Sequence, residues 1–109
     1  MEIKPIQLDD DTFLLTVFLK HHQTMNLGEI GEKLGETEFW KNFPPEGIEV
    51  ASWYIMMGIG QVVTMKVPAS RLRDVNLAIE RGAWGAFSTE IYATYDFIPA
   101  WRSFKAKFE

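Results

Sequence analysis

A chain of 109 residues has room for one domain with one hydrophobic core, which excludes the large multidomain enzyme scaffolds. Hydrophobic residues make up 47% and charged residues 24% of the sequence, which excludes a disordered linker or a fibrous repeat and predicts a compact fold. The formal net charge of -4 disfavours nucleic acid and anionic membranes as partners, and the absence of cysteine excludes disulfides and thiolate metal sites.

We expect residues 1–109 to form a single domain, with a core over about 12–96 and a tail over 97–109. The N-terminus has no signal-like apolar run, and no segment approaches the roughly 20 apolar residues that span a bilayer. The sequence therefore predicts a cytoplasmic protein that makes no contact with membranes.

The first half of the chain predicts a strand and then a helix. The run from Thr12 to Leu19 is rich in β-branched and aromatic residues and lacks glycine and proline, which is typical of a strand. Asn26 and Glu29 have the spacing of a capping box, so a helix should begin there and end near residues 39–42. The Pro-Pro-Glu-Gly segment 44–47 stops it.

The second half predicts a hairpin, a helix, a strand and a short terminal helix. The same criteria place strands at 48–57 and 61–67 around a glycine turn, an amphipathic helix ending at Gly82, a strand at 87–95, and a tail helix carrying Trp101, Phe104 and Phe108. This βαββαβ order predicts a ferredoxin-like α+β fold, in which two helices cover one face of a four-stranded antiparallel sheet.

The uncovered face of that sheet is the most informative feature, because both residue parities of each strand are largely apolar. In the second strand, for example, we place Val50 with Tyr54 and Met56, opposite Trp53 and Ile55. A soluble monomer rarely exposes such a surface. We expect it to be covered by a second copy of the chain or, alternatively, by the aromatic tail.

The sequence resembles the dimeric α/β-barrel superfamily over roughly residues 12–96. The resemblance rests on the element order, on the hairpin between Tyr54 and Val67, and on the last strand ending Tyr92-Ala93-Thr94-Tyr95-Asp96. That ending is partly similar to a terminal Gly-Tyr-Asp signature, with Thr94 at the glycine position. The resemblance implies sheets that pair into a dimeric barrel and a pocket between sheet and helices in each subunit. The superfamily includes cofactor-free monooxygenases, ring isomerases, haem-degrading enzymes and ligand-binding modules.

Candidate catalytic residues are His21, His22, Tyr54 and Tyr92. The histidines end the first strand, where a pocket would open, and either could act as a general base. Strand alternation allows only one of them to enter, and both could instead be solvated. A tyrosine hydroxyl could orient a substrate, and no metal or other cofactor is expected.

Candidate ligand-binding residues are Trp53, Met57, Met65, Arg81 and Trp84. Aromatic and thioether groups suit a flat apolar ligand, and an arginine can hold a carboxylate. Alternatively, the apolar ones fill the core or an interface, and Arg81 only complements a helix C-terminus.

The glycines of the first predicted helix, Gly28, Gly31 and Gly35, form a stripe. Each lowers helix stability, so either another backbone or a ligand approaches closely there, or the helix is irregular.

The leading functional hypothesis is a homodimer that binds a small aromatic or apolar metabolite, and that could catalyse cofactor-independent oxidation or isomerisation. The alternative is a catalytically inert interaction module of the same fold. An RNA-binding sheet is disfavoured by the acidic balance of the chain.

Overall fold

A computed structural model describes residues 8–109. The elements in chain order are β1 (Thr12–His21), α1 (Leu27–Glu36), α2 (Phe39–Asn42), β2 (Glu49–Met56), β3 (Gly60–Pro68), a single 3-10 turn (Ala69–Arg71), α3 (Leu72–Gly82), β4 (Phe87–Thr94) and α4 (Ile98–Phe108). Within this part of the chain no helix has the length and apolar character needed to cross a membrane.

The four strands form one antiparallel sheet in the order β2-β3-β1-β4. This order confirms the predicted ferredoxin-like α+β fold. The two central strands, β1 and β3, pair along almost their full length, from Thr12 opposite Pro68 to Lys20 opposite Gly60.

The core lies between the sheet and the helices. From the sheet it takes alternate residues of the central strands, such as Val17, Val63 and Met65, all fully buried. From the helices it takes residues at helical spacing, such as Leu34 of α1 and Ile79 of α3. The alternation in β1 and β3 therefore divides the sheet into a packed face and an open face, as the sequence pattern predicts.

The first helix begins as predicted and ends earlier. Asn26 accepts a hydrogen bond from the backbone N–H of Glu29 at 2.8 Å, and the Glu29 carboxylate completes the capping box. The chain leaves α1 at Thr37, whose hydroxyl donates to Gly82 O at 2.6 Å and lies within 3.3 Å of two carbonyls of its own last turn. Glu38 then adopts a left-handed conformation (φ 61°), and the short helix α2 follows. The prediction of one helix to residues 39–42 was wrong because this local turn interrupts it.

A bulge changes which residues of β2 share a face. Val50 pairs with Met65, and the register shifts before Ser52 pairs with Thr64. Val50 therefore shares a face with Trp53, whereas we predicted that it shares one with Tyr54. The extra residue at the bulge reverses the alternation on its N-terminal side.

Helix α3 ends at Gly82, as predicted, although this glycine is not left-handed. Gly82 is buried, and a Cβ there would lie 3.2–3.3 Å from atoms of Phe39. The glycine therefore allows α2 to approach α3 closely.

The open face is more polar than the sequence pattern predicts. Thr16, at its centre, lies within hydrogen-bond distance of the hydroxyls of Thr64 (3.1 Å) and Thr94 (3.2 Å). The ion pairs Lys20–Glu90 (2.8 Å) and Lys66–Glu49 (2.7 Å) lie on the same face. Apolar side chains are interspersed with these polar groups: Leu14, Phe18, Tyr54, Val62 and Tyr92.

The tail forms the predicted helix, and its aromatic side chains stay exposed. Trp101, Phe104 and Phe108 are all open to solvent, and so are Tyr54 and Tyr92 on the sheet. Helix α4 therefore does not shield the tyrosines of the open face.

Candidate functional site

A cleft of about 780 Å³ opens between α1 and the end of the sheet where β1 finishes and the β2–β3 hairpin turns. Its walls are mostly apolar. The lining residues are His21, His22, Gln23, Met25, Asn26, Leu27, Ile30, Gly31, Leu34, Trp40, Ile55, Met56, Gly58 and Gln61. A cleft of this size can hold a ring-containing metabolite.

The two histidines meet at this cleft. His21 is the last residue of β1. Its backbone N–H donates to the backbone carbonyl of Ile59 at 2.8 Å, and its imidazole ring stacks on Phe87 with ring centroids 5.5 Å apart. His22 follows the strand, so the alternation of strand residues no longer governs its direction. Both histidines line the cleft, whereas we predicted that only one could enter.

Gln61 is a polar group of the cleft that the sequence analysis missed. Its Oε1 accepts a hydrogen bond from Trp53 Nε1 at 2.7 Å. This bond fixes the side-chain amide and leaves its NH₂ group free to donate to a ligand. Trp53 itself packs edge-on against Phe43 in the core, so it supports the cleft through Gln61 and does not line it.

Four other predicted residues lie away from the cleft. Tyr54 (67% exposed) and Tyr92 (51% exposed) stand on the open face, on the other side of the sheet. Met57 is 91% exposed at the tip of the hairpin, and Met65 is fully buried in the core. The structure therefore does not bring a tyrosine hydroxyl and a histidine together in this chain.

Arg81 and Trp84 also lie outside the cleft. Arg81 borders a smaller depression of about 360 Å³, which it shares with Thr37 and Asn42. The exposed indole of Trp84 donates to Thr89 Oγ1 at 3.1 Å. Neither side chain lines the larger cleft.

Gly31, one of the three glycines at which we expected a ligand or another backbone to approach, lines the cleft. It follows Leu27 by four positions, so helical spacing places both on one wall. Trp40 reaches the cleft because the helix breaks at Glu38, and no periodicity shows that break.

Of the residues described, no Asp, Glu, Lys or Arg side chain lines the cleft, and no group of three potential metal ligands comes together. Its polar groups are imidazoles and side-chain amides. Such groups can exchange a proton or a hydrogen bond with a ligand, and they provide no fixed charge to neutralise an ionised one.

Electrostatic coupling is found instead on the open face. The hydrogen bond to Glu90 and the charge of that carboxylate raise the pKa of Lys20. The same hydrogen bond, the Lys20 charge and a further hydrogen bond from Tyr92 lower the pKa of Glu90.

No family model matches this chain, and comparison with curated proteins and with solved structures found no match. The resemblance to the dimeric α/β-barrel superfamily therefore extends, as a finding, only to the ferredoxin-like fold of the subunit.

Proposed function

We propose that this protein is a homodimer that binds a small, flat, mostly apolar metabolite in the cleft beside α1. The observation that carries the proposal is the combination of apolar walls with two histidines and one fixed glutamine amide in a single cleft of about 780 Å³. Apolar walls with a few convergent polar groups are typical of small-molecule sites.

The chemistry of the lining favours an uncharged ligand with a hydroxyl or carbonyl group. A neutral imidazole of His21 or His22 can accept a hydrogen bond from a phenolic or enolic hydroxyl, and Gln61 can donate one to a carbonyl. No guanidinium or ammonium group of the described residues lies in the cleft to pair with a carboxylate. Quinols and phenols fit these requirements better than aromatic acids.

If the protein is an enzyme, the same groups suit cofactor-independent isomerisation, or oxidation in which dissolved dioxygen takes the electrons of the substrate, as the sequence resemblance implies. His22 or His21 would accept the proton from the substrate hydroxyl or from a carbon next to a carbonyl. The orienting role that we first gave to Tyr54 or Tyr92 passes to Gln61, because Gln61 lines the cleft and the tyrosines do not.

A thermal-shift titration tests the site with a matched pair of variants. A Cβ at Gly31 or at Gly35 meets no atom within 4 Å, and only Gly31 lines the cleft. Gly31→Leu should fill the cleft, whereas Gly35→Leu should leave it open. We expect hydroquinone to raise the melting temperature of the wild type and of Gly35→Leu, and to leave Gly31→Leu unchanged.

Equal shifts in both variants would place the ligand elsewhere. No shift of the wild type with hydroquinone, 1-naphthol or benzoate would remove the small-molecule proposal. The alternative hypothesis, a catalytically inert interaction module, would then be favoured. The exposed aromatic side chains of α4 favour that hypothesis independently.

The second copy in this proposal covers the open face of the sheet. Tyr54 and Tyr92 stand out from this face, while its ion pairs and threonine hydroxyls are already paired within the chain. A second copy could therefore bury the open face while these polar groups keep their hydrogen-bond and ion-pair partners.

We expect sedimentation velocity to show a dimer for the wild type and a monomer for the double variant Tyr54→Lys/Tyr92→Lys. The variant should dissociate because its lysine ammonium groups would be buried in the interface without partners. Met57→Lys, at the exposed hairpin tip, is the control and should remain dimeric. An unchanged dimer in the double variant would exclude the sheet-face contact.

A further inference from the structure

Helix α4 carries a narrow aromatic stripe. Phe97, which precedes the helix, and Trp101, Phe104 and Phe108 within it are spaced four, three and four residues apart, so they lie along one face. They are 42–75% exposed, and the rings of Phe97 and Phe104 stack with centroids 6.4 Å apart.

Cationic side chains border the stripe. Lys105 Nζ lies 5.8 Å from the ring of Trp101, and Lys107 Nζ lies 5.4 Å from the ring of Phe108. A stripe as narrow as a coiled-coil seam suits a protein groove, whereas a helix that lies on a membrane presents a wide apolar face.

Helix α4 has no buried residue. Every residue from Trp101 to Phe108 is exposed. Within residues 8–109 the aromatic stripe is therefore only partly covered.

The rim of the cleft beside α1 has the matching apolar surface. Leu27, Trp40 and Ile55 line the cleft and are each more than half exposed, Leu27 most of all at 73%. Beside Leu27, the surface of α1 is formed by Gly31 and Gly35, where there is open space at the Cβ positions. A second helix could approach the backbone of α1 closely along this row.

The charges of the two surfaces are complementary. On α1, Glu32 and Glu36 lie at helical spacing just beyond the glycine row. On α4, Lys105 and Lys107 flank the aromatic stripe, and Lys105 also pairs with Glu109 at 3.3 Å. A helix seated on the glycine row would bring cations of α4 toward the acidic row of α1. Such complementarity fixes the orientation of a docked helix more than it raises affinity.

From these matching surfaces we infer that α4 of one copy docks across the mouth of the cleft in a second copy, and that the second copy docks its α4 in return. Two reciprocal contacts of this kind close a two-fold dimer. Each subunit would then cover the cleft of the other at the rim, above His21 and His22. The inference rests on the homodimer of the proposed function and does not require the ligand.

Truncating the stripe tests the contact. We expect Trp101→Ala with Phe104→Ala to weaken the dimer by about thirtyfold or more in sedimentation velocity, as for buried aromatic anchors at interfaces. Both side chains are exposed in the subunit, so circular dichroism should show an unchanged fold. Ser103→Ala, on the other side of α4, is the control and should not alter dimerisation.

Charge reversal tests where the helix docks. The variant Lys105→Glu/Lys107→Glu and the variant Glu32→Lys/Glu36→Lys should each dissociate more readily than the wild type. A mixture of the two variants should form a heterodimer at low salt. One of its two contacts joins the charge-reversed α4 to the charge-reversed α1, and the other joins an α4 and an α1 that both keep their original charges, so both contacts pair opposite charges. Lys41→Glu, on α2, is the control for a change in net charge.

The possible outcomes separate this inference from the sheet-face dimer and from the ligand. A dimer that survives Trp101→Ala/Phe104→Ala but dissociates with Tyr54→Lys/Tyr92→Lys would overturn helix docking and keep sheet pairing. Loss of the dimer without rescue in the charge-reversed mixture would place α4 on another surface and overturn the inference. A monomeric wild type that sediments with anionic lipid vesicles would overturn it as well. The hydroquinone titration reports on the ligand separately.

Discussion

One ion pair on the open face of the sheet should make the stability of the fold depend on pH. Lys20 and Glu90 form an ion pair at 2.8 Å, and Tyr92 donates a hydrogen bond to the second carboxylate oxygen at 3.2 Å. These contacts hold the pKa of Glu90 below and that of Lys20 above their ordinary values. Because the pKa of Glu90 is lower in the folded state, its stabilising effect is complete above the ordinary carboxyl pKa and is lost as the pH falls through the lowered one.

Glu90→Gln should therefore lower the melting temperature at neutral pH, and the difference from the wild type should disappear as acid protonates Glu90. The raised pKa of Lys20 adds a second loss on the alkaline side, as the pH rises through that value. Thermal melts between pH 3 and pH 7, with Glu32→Gln on α1 as a control, measure the acid side. A difference that stays constant down to the lowest pH would show that this pair does not stabilise the fold.

Among the individual residues of the cleft, the sequence identified His21 and His22 as candidates but not Gln61, which lines the cleft beside them. Both histidines line the cleft, and their roles stay predictions. Gln61 was missed because a glutamine in a strand has no chemical signature until a partner such as Trp53 fixes it. The tyrosines were candidates by residue type alone, and the strand register places them on the other side of the sheet.

The helices show how one residue type can have opposite effects in different places. Gly31 and Gly35 lie inside α1 with open space at their Cβ positions, whereas Gly82 ends α3 against Phe39. Alanine is favoured over glycine by about 0.5 to 1 kcal/mol in a helix, so Gly31→Ala and Gly35→Ala should each increase the free energy of unfolding of the undocked subunit by that amount. The measurement is made at protein concentrations at which the dimer has dissociated.

Gly82→Ala should instead lower the free energy of unfolding by about 1 to 3 kcal/mol, because its methyl group would press on Phe39. Urea denaturation at constant pH measures all three variants. A destabilised Gly31→Ala would mean that something already occupies the space beside α1, and a stabilised Gly82→Ala would contradict the close approach of α2 and α3.

The periodicity of apolar residues and the helix-capping residues predicted the type of each helix and strand. They did not predict the end of α1 or the bulge in β2. The capping box at Asn26, the glycine turn of the hairpin and the period of β1 are local signals, and the structure confirms the elements that they predict. The break at Glu38 and the bulge after Val50 have no such local signal in the sequence. Thr37, for example, ends α1 by bonding to Gly82, 45 positions away in the sequence.

For the whole molecule, a ferredoxin-like sheet leaves three surfaces to explain: the cleft, the open face and the aromatic stripe of α4. Of the surfaces that residues 8–109 form, the cleft alone combines apolar walls with histidine side chains. The open face mixes apolar side chains with ion pairs and threonine hydroxyls that are paired within the chain, and the α4 stripe is exposed and bordered by lysines. We therefore assign ligand binding to the cleft and assembly to the other two surfaces.

The most direct test is a ¹H–¹⁵N NMR titration of the protein with hydroquinone. Binding in the cleft should shift the amide signals of His22, Gly31 and Gln61 together with a single affinity, and should leave those of Tyr54 and Tyr92 unchanged. Shifts confined to the open face, or no shift of the cleft residues at millimolar hydroquinone, would contradict the proposed site.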